Sequence, residues 1–462
     1  MLGKGKGKEK ENDKGSHRKR IQPWATLHKV PYRLREVNRK AYEPTVVSIG
    51  PYHHGRLHLE PMEIIKQRFF WEIADEIQIN LNGFRAALRP LEKETRMCYQ
   101  QPLPFKLESE EKFLDMMVYD GCFIVQLIRN GFEPGIFEAG YIQTDIRNDL
   151  LLLENQLPFS VLFKLYNMIV VATPGETESD GEIEVFTKLA LSFFNVSPFF
   201  SPTEESIHLL QVVHSTHIPS DQGIKQHQSY KSGEGSRKSS SECTWKFIRS
   251  ATELEDAGIS FFGDNVTKMA LEDEDINGMF DIKFTTYYTN RVKPLICHAV
   301  DFMCAMMFGP PKVLKIPTLR VDDLTERKLR NYMAYEQFFR IGKPTYFVDY
   351  VIFMDNLINT GKDVQLLCEQ GIIDNRLGDH EAVAEMFNKL RESIYLSPDF
   401  YYAEIFDGVN KHCQIKWNRW KASLKKNYFN TPWSFISFIA AVVLLLLTLL
   451  QSILSILSYI KQ

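Results

Sequence analysis

Between Trp433 and Ile460 the chain reads WSFISFIAAVVLLLLTLLQSILSILSYI, without a charge or a proline. A bilayer core takes about 20 apolar residues in helix, so this run can cross with tilt to spare. A soluble helix of that length would carry a polar face, whereas this one carries scattered Ser, Thr and Gln. A glycolipid-anchor signal also ends in an apolar tail, but that route needs a secretory signal peptide. The N-terminal MLGKGKGKEKENDKGSHRKR has no apolar stretch to serve as one. The expectation is a transmembrane helix over 433–460 that holds a large soluble body to a membrane by its C-terminus.

Charge sets the expected orientation. Lys411, Lys416, Arg419, Lys421, Lys425 and Lys426 precede the run, and Lys461 follows it. The positive-inside rule then keeps the body in the cytoplasm. Trp417, Trp420, Tyr428, Phe429 and Trp433 stand where an aromatic belt would lie. The choice between plasma membrane and endomembrane is open at this level. Two sequons, Asn195-Val-Ser197 and Asn265-Val-Thr267, would carry glycan only in a lumenal or extracellular body and so act as topology reporters.

An apolar fraction of 44% over 462 residues is ample for one large domain or two moderate ones, and a net charge of -3 gives no pull toward nucleic acid. Seven cysteines form an odd, scattered set without a CxxC pair, which argues against a disulfide framework and a structural zinc site. Residues 1–22 read as a disordered basic tail, 23–428 as the soluble domain, and 220–241 as a disordered loop within it. A shorter linker is expected over Ala172 to Gly181. Met62, Ile65, Phe69 and Ile73 keep helical spacing, as do Phe113, Met116, Met117, Phe123, Leu127 and Ile128. Asp149 to Leu165 reads as a helix interrupted at Pro158, and Glu184–Phe194, Glu326–Leu357 and Asp379–Leu390 as further helices. Lys29 to Arg35 and Ala41 to Pro51 read as extended segments and turns, and Ile259–Phe262 and Val313–Val321 as strands. The fold class expected is mainly α with a few short β-strands (α+β), one soluble body plus the C-terminal helix.

Specific strings then narrow the field. VSIGPYHHG (Val47 to Gly55), with Met62, Glu63 and Lys66 after it, resembles the opening signature of the plant family known as domain of unknown function 247. MMVYDGCFI, DLLLLENQLPF, SATELEDAGISF, IPTLRVDD, RNYMAYEQ and FMDNLINTGKDVQLLCEQGII follow in the family's order. YFNTPWSFISFIAAVVLLLLTLLQ closes a match running from about Trp24 to Gln451. The resemblance implies a single-pass, membrane-associated plant protein, with a family link to pollen–pistil self-incompatibility and so to recognition or signalling. It supplies no catalytic residues.

Candidate sites must therefore come from the residues. Asp149, Glu154, Asn155 and Gln156 are the densest polar group inside an apolar run. They read as a buried polar network or, with Asp120, as an acid/base pair of a hydrolase or transferase. His53, His54 and His58, near Glu60 and Glu63, suit turn and packing roles better than a metal site, because no HExxH or facial-triad spacing is present. Cys122 sits among Met117, Phe123 and Ile124, which suits an unreactive buried thiol better than a nucleophile paired with a distant histidine. Glu253, Glu255 and Asp256 read as helix-start charges or a docking edge. Neither GxxxxGK[ST] nor GxGxxG occurs at a strand–helix junction, and no cofactor, metal or nucleic-acid partner is expected. Within the apolar run Thr448, Ser452 and Ser455 share a face, which reads either as a surface for self-association or pairing with another membrane helix or as hydroxyls bonded to their own backbone and facing lipid. The favoured function is a membrane-tethered recognition or signalling component with an unidentified protein partner. The alternatives are an enzyme working around Glu154 and Asp120, and a structural adaptor.

Overall fold

Apolar residues recurring at three and four positions wind most of this chain into helices. The computed structural model describes residues 27–173, 182–196, 207–219, 246–264, 278–286, 312–339, 344–396, 399–415, 417–418, 420 and 432–460. The basic tail, the polar loop at 220–241, Asn265 and most of the linker at 172–181 lie outside the described residues.

In the first half, α1 (Tyr32–Val37), α2 (Glu60–Ile77), α3 (Leu81–Leu88), α4 (Glu92–Cys98), α5 (Glu110–Asn130), α6 (Gly140–Asp149), α7 (Phe159–Ala172), α8 (Ile183–Phe193) and α9 (Leu209–Thr216) follow in order. Helix α2 opens with Pro61 and two first-turn acids, Glu60 and Glu63, which suit the positive end of the helix dipole. Its inner face buries Met62, Phe69, Phe70 and Ile73. Helix α5 is capped by Ser109, whose side chain accepts from the Lys112 amide at 3.3 Å, and stops at Gly131 with φ 74°. It is buried on nearly all sides, as a central core helix must be. Phe113, Met117 and Phe123 are fully enclosed, each worth about 1.5–3 kcal/mol of burial. Gly121 lets α7 close on α5: a methyl there would lie 2.3 Å from Leu165 Cδ1.

The second half surrounds α12 (Tyr346–Leu357), in which every residue is buried. Around it lie α10 (Ala251–Asp256), α11 (Thr325–Phe339), α13 (Gly361–Glu369), α14 (His380–Leu390) and α15 (Ala403–Gln414). Strands β1 (Ile259–Asp264), β2 (Lys283–Thr286) and β3 (Lys312–Pro317) form one sheet in the order β1-β3-β2, parallel between β1 and β3 and antiparallel between β2 and β3. Strands β4 (Leu319–Val321) and β5 (Ile373–Asn375) form a parallel pair. The sheets meet where the Gly263 amide donates to Gln370 O at 2.9 Å.

Helix α16 (Pro432–Ile460) stands apart. Its stretch Ala440–Ser458 has a mean hydropathy of 2.5 and none of it is buried, so the helix is long and apolar enough to cross a membrane.

The fold class is as expected, mostly helical with a few short strands, but four local readings need correction. Asp149 to Leu165 is not one interrupted helix. Helix α6 ends at Asp149, residues 150–158 are turns and irregular chain, and Pro158 is the N-cap of α7. Lys29 to Arg35 is more than extended chain and turns, because Pro31 starts helix α1 rather than breaking the run. Glu326 to Leu357 divides into α11 and α12. Val313 to Val321 divides at Thr318 into β3 and β4, one strand in each sheet.

Candidate functional site

Residues Thr45 to Gly50 run from the surface into the interior outside any helix or strand, so their amides need other partners. Side chains provide them. Asp149 accepts the amides of Thr45 (3.0 Å), Val46 (2.7 Å) and Val47 (2.9 Å), and Arg327 Nη2 donates to it at 2.6 Å. Asn155 accepts from the Ile49 amide at 2.7 Å and donates back to Val47 O at 3.0 Å. Asp120 on α5 accepts the Gly50 amide at 2.8 Å. Gly50 has φ +70°, and a Cβ there would lie 2.8 Å from Gln156 O, so both conformation and space ask for glycine.

Lys66 of α2 is fully buried and spends its charge on Asp120 at 2.6 Å, Glu63 at 2.6 Å and Ser48 O at 2.5 Å, with Ser48 Oγ at 3.4 Å. Burial pushes the Asp120 carboxyl up, and Lys66 pulls against it.

Glu154 accepts from the Val30 amide at 2.5 Å and from Arg35, and His53 Nε2 lies 3.5 Å from it. Burial raises its pKa, opposed by Arg35. Burial, then the charges of Arg56 and Arg35, push His53 down to about 3, so the imidazole is neutral at physiological pH. Gln156 donates to Leu150 O (2.7 Å) and Leu152 O (2.9 Å) and accepts from the Leu210 amide at 3.1 Å.

Helix α11 closes the assembly. Asn331 accepts from the Leu153 amide at 3.0 Å and donates to Ala41 O at 2.9 Å, and Arg327 donates to Glu43 O at 2.8 Å. Glu336 receives the first amides of α12, Phe347 at 3.1 Å and Val348 at 3.0 Å, and His214 Nε2 lies 3.0 Å from it. The polar residues of VSIGPYHHG, DLLLLENQLPF and RNYMAYEQ thus form one buried spine joining three distant parts of the chain.

The structure places Asp120 and Glu154 in this spine with different partners, 1% and 2% exposed. Every oxygen of Asp120, Asp149 and Glu154 faces donors, an arrangement that holds backbone in place. A cavity of about 10 Å³ lies beside it, lined by Asn148, Leu152, Arg327 and Asn331, room for a water rather than a substrate. His53, His54 and His58 do not converge: His53 is buried beside Glu154, while His58 Nε2 lies 3.4 Å from Pro44 O. No His, Cys, Asp and Glu group that could hold a metal ion occurs among the described residues. Cys122 is enclosed, and burial pushes its thiol up. Glu253, Glu255 and Asp256 lie on the short α10. On α16, Thr448 and Ser452 donate to their own helix carbonyls, Leu444 O at 2.6 Å and Thr448 O at 2.8 Å. Sequence reasoning missed Arg35, Lys66, Arg327, Asn331, His214 and Glu336, because their partners lie on other elements. The clue for three of them was that a charged or amide residue stood inside a matched string: Asn331 and Glu336 in RNYMAYEQ, Lys66 just after VSIGPYHHG.

A family model described as plant protein of unknown function, DUF247, matches residues 27–447. A UPF0481 protein of Arabidopsis thaliana is 30% identical over 436 residues, covering 89% of this chain and 82% of that protein. A putative UPF0481 protein of the same plant is 24% identical over 473 residues, covering 89% of this chain and 86% of its own length. No solved structure matches.

Proposed function

The chain belongs to the DUF247 family of plant proteins of unknown function, and from that premise we propose that it is a membrane-anchored recognition or signalling component whose helical body binds a protein partner. The observation that carries the reading is the unburied apolar stretch Ala440–Ser458. Nineteen such residues left in water would be a severe aggregation liability, which a bilayer removes. The basic residues from Lys411 to Lys426 support a cytoplasmic body. Binding is favoured over catalysis because the buried carboxylates of the spine are spent on backbone amides and cations. Exposed apolar side chains, Leu57 at 81%, Ile64 at 72% and Phe105 at 83%, offer contact area to a partner.

The test is expression of the full-length protein in plant cells, followed by carbonate extraction, protease treatment and glycosidase treatment of sealed microsomes. The proposal expects a carbonate-resistant protein, a digestible body and no glycan. Release by carbonate would refute the anchor, and a glycan at Asn265 with a protected body would refute the orientation. For recognition, deleting residues 220–241 should change which proteins are recovered by crosslinking while the melting temperature holds. An unchanged set would argue against that segment as the binding determinant.

A further inference from the structure

Three arginines converge on one carboxylate oxygen at the outer end of the polar spine. Glu43 Oε1 lies 2.8 Å from Arg39 Nε, 3.4 Å from Arg56 Nη1 and 3.8 Å from Arg35 Nη1. Burial works against the Glu43 charge, yet hydrogen bonds and charge from Arg39 and Arg56 hold its carboxyl below the usual range. Arg35 also engages Glu154, and Lys29 reaches the same neighbourhood, with its ammonium 5.2 Å from the Tyr52 ring centroid. Lys29, Arg35, Arg39 and Arg56 against Glu43 and Glu154 make four cations and two carboxylates, leaving two positive charges unmatched.

Directly beneath sits His53, 1% exposed, and neither of its ring nitrogens makes a hydrogen bond. Leaving both nitrogens of a buried imidazole unused is costly, since each lost partner forfeits its desolvation. The charged groups facing it are Glu154, whose carboxylate lies 3.5 Å from Nε2, and Arg56, Arg35, Lys29 and Glu43. Arg56, whose charge acts on the imidazole, is 30% exposed and is held to Glu43 by two contacts of 3.4 Å.

We propose that Arg35, Arg39, Arg56 and His53 form a binding site for a phosphomonoester dianion. Such a group carries about two negative charges and three strong acceptor oxygens, which matches the unmatched charge. Guanidinium forks suit it bidentately, and Arg39 and Arg56 keep donors to spend after contacting Glu43. A neutral His53 adds one donor and one acceptor at the floor. The phosphomonoester belongs either to a free small molecule or to a phosphorylated lipid headgroup. The site is independent of the anchoring reading, because the residues lie in the body.

The probe is phenyl phosphate, titrated calorimetrically into the full-length protein in detergent and phosphate-free buffer, with dimethyl phosphate as a monoanionic control. Saturable binding of phenyl phosphate, at least tenfold tighter than dimethyl phosphate, is expected. R39Q and R56Q should each weaken it about tenfold without lowering the melting temperature, since neither arginine is buried. R35Q is avoided because it would strand Glu154 in the core. H53N should weaken binding while sparing the fold; if it unfolds the protein, the two arginine variants decide alone. No saturation up to about 10 mM, or affinity unchanged in R39Q and R56Q, overturns the site. A repeat in nanodiscs with and without phosphatidylinositol 4-phosphate assigns the source. Weaker apparent phenyl phosphate binding with the lipid present supports a headgroup, and equal binding supports a free phosphomonoester.

Discussion

Replacing Asp149 by Asn tests whether the spine holds the fold together. The side chain is fully buried, and its two oxygens take three backbone amides, the Thr45 hydroxyl and Arg327. Asparagine keeps one oxygen and turns the other into a donor. With the new NH2 toward Val46 and Val47, two amides lose their acceptor, at about 1–3 kcal/mol each. With it toward Arg327, a guanidinium only 11% exposed loses its counter-ion, at about 3–5 kcal/mol. Either orientation gives a loss near 4 kcal/mol, a large part of the roughly 5–15 kcal/mol that holds a protein folded. For a body of roughly 400 residues this lowers Tm by about 5 °C. The assay is urea unfolding of the detergent-solubilised full-length protein, followed by tryptophan fluorescence. In the double variant D149N/R327M no cation is stranded, so about 2 kcal/mol should return as coupling between the two sites. A loss under about 1 kcal/mol for D149N, or strict additivity in the double variant, would refute the reasoning.

Gly50→Ala should cost about 2 kcal/mol or more, from the positive φ and the close Gln156 carbonyl, and thermal unfolding reads it directly. Glu154→Gln should lower Tm by several degrees, because it weakens the hold on Arg35 and the Val30 amide. A loss of cellular function at unchanged Tm would instead reveal acid/base work at this carboxyl. Burial raises the Asp349 pKa from 3.8 to about 8, opposed by the Tyr401 amide and assisted by the Glu336 charge. Between those values the folded state binds the extra proton, so stability falls as pH rises from about 4 to about 8. Asp349→Asn mimics the neutral acid, accepting from Tyr401 and donating to Thr345. It should flatten that part of the urea-midpoint profile; an unchanged slope would assign the pH dependence to other groups.

Where apolar spacing was regular, local pattern and structure agree: α2, α5, α8 and α14 lie within a few residues of their expected spans. The failures have a common cause in tertiary hydrogen bonding. The run LLLLENQLP has the apolar content of a helix, yet Asn155 and Gln156 bond the Asp149, Leu150 and Leu152 carbonyls that a helix would have used. Strands β2 and β5 are four and three residues long, too short for an alternation to register. Asp149, Glu154, Asn155 and Gln156 stood out as polar residues in an apolar run. Their counterparts did not, because Arg35, Lys66 and Arg327 look like ordinary surface cations until the fold brings them inward. Distance along the chain hid them: Asp149 and Arg327 are 178 positions apart.

That separation bears on how the protein is made. Ala41 waits for Asn331, 290 residues later, and Thr45 for Asp149, 104 residues later. A growing chain therefore carries Asp149 without Arg327, and Ala41 without Asn331, until α11 has been synthesised. Non-local closure of this kind is slow, and incomplete intermediates of a large chain aggregate. The nascent polypeptide must be shielded through most of its translation, and the apolar α16 leaves the ribosome about a hundred residues after the last piece of the spine. A break anywhere between residues 60 and 325 leaves each fragment with charges whose partners are on the other. The two pieces should be insoluble apart and recover a folded body when co-expressed.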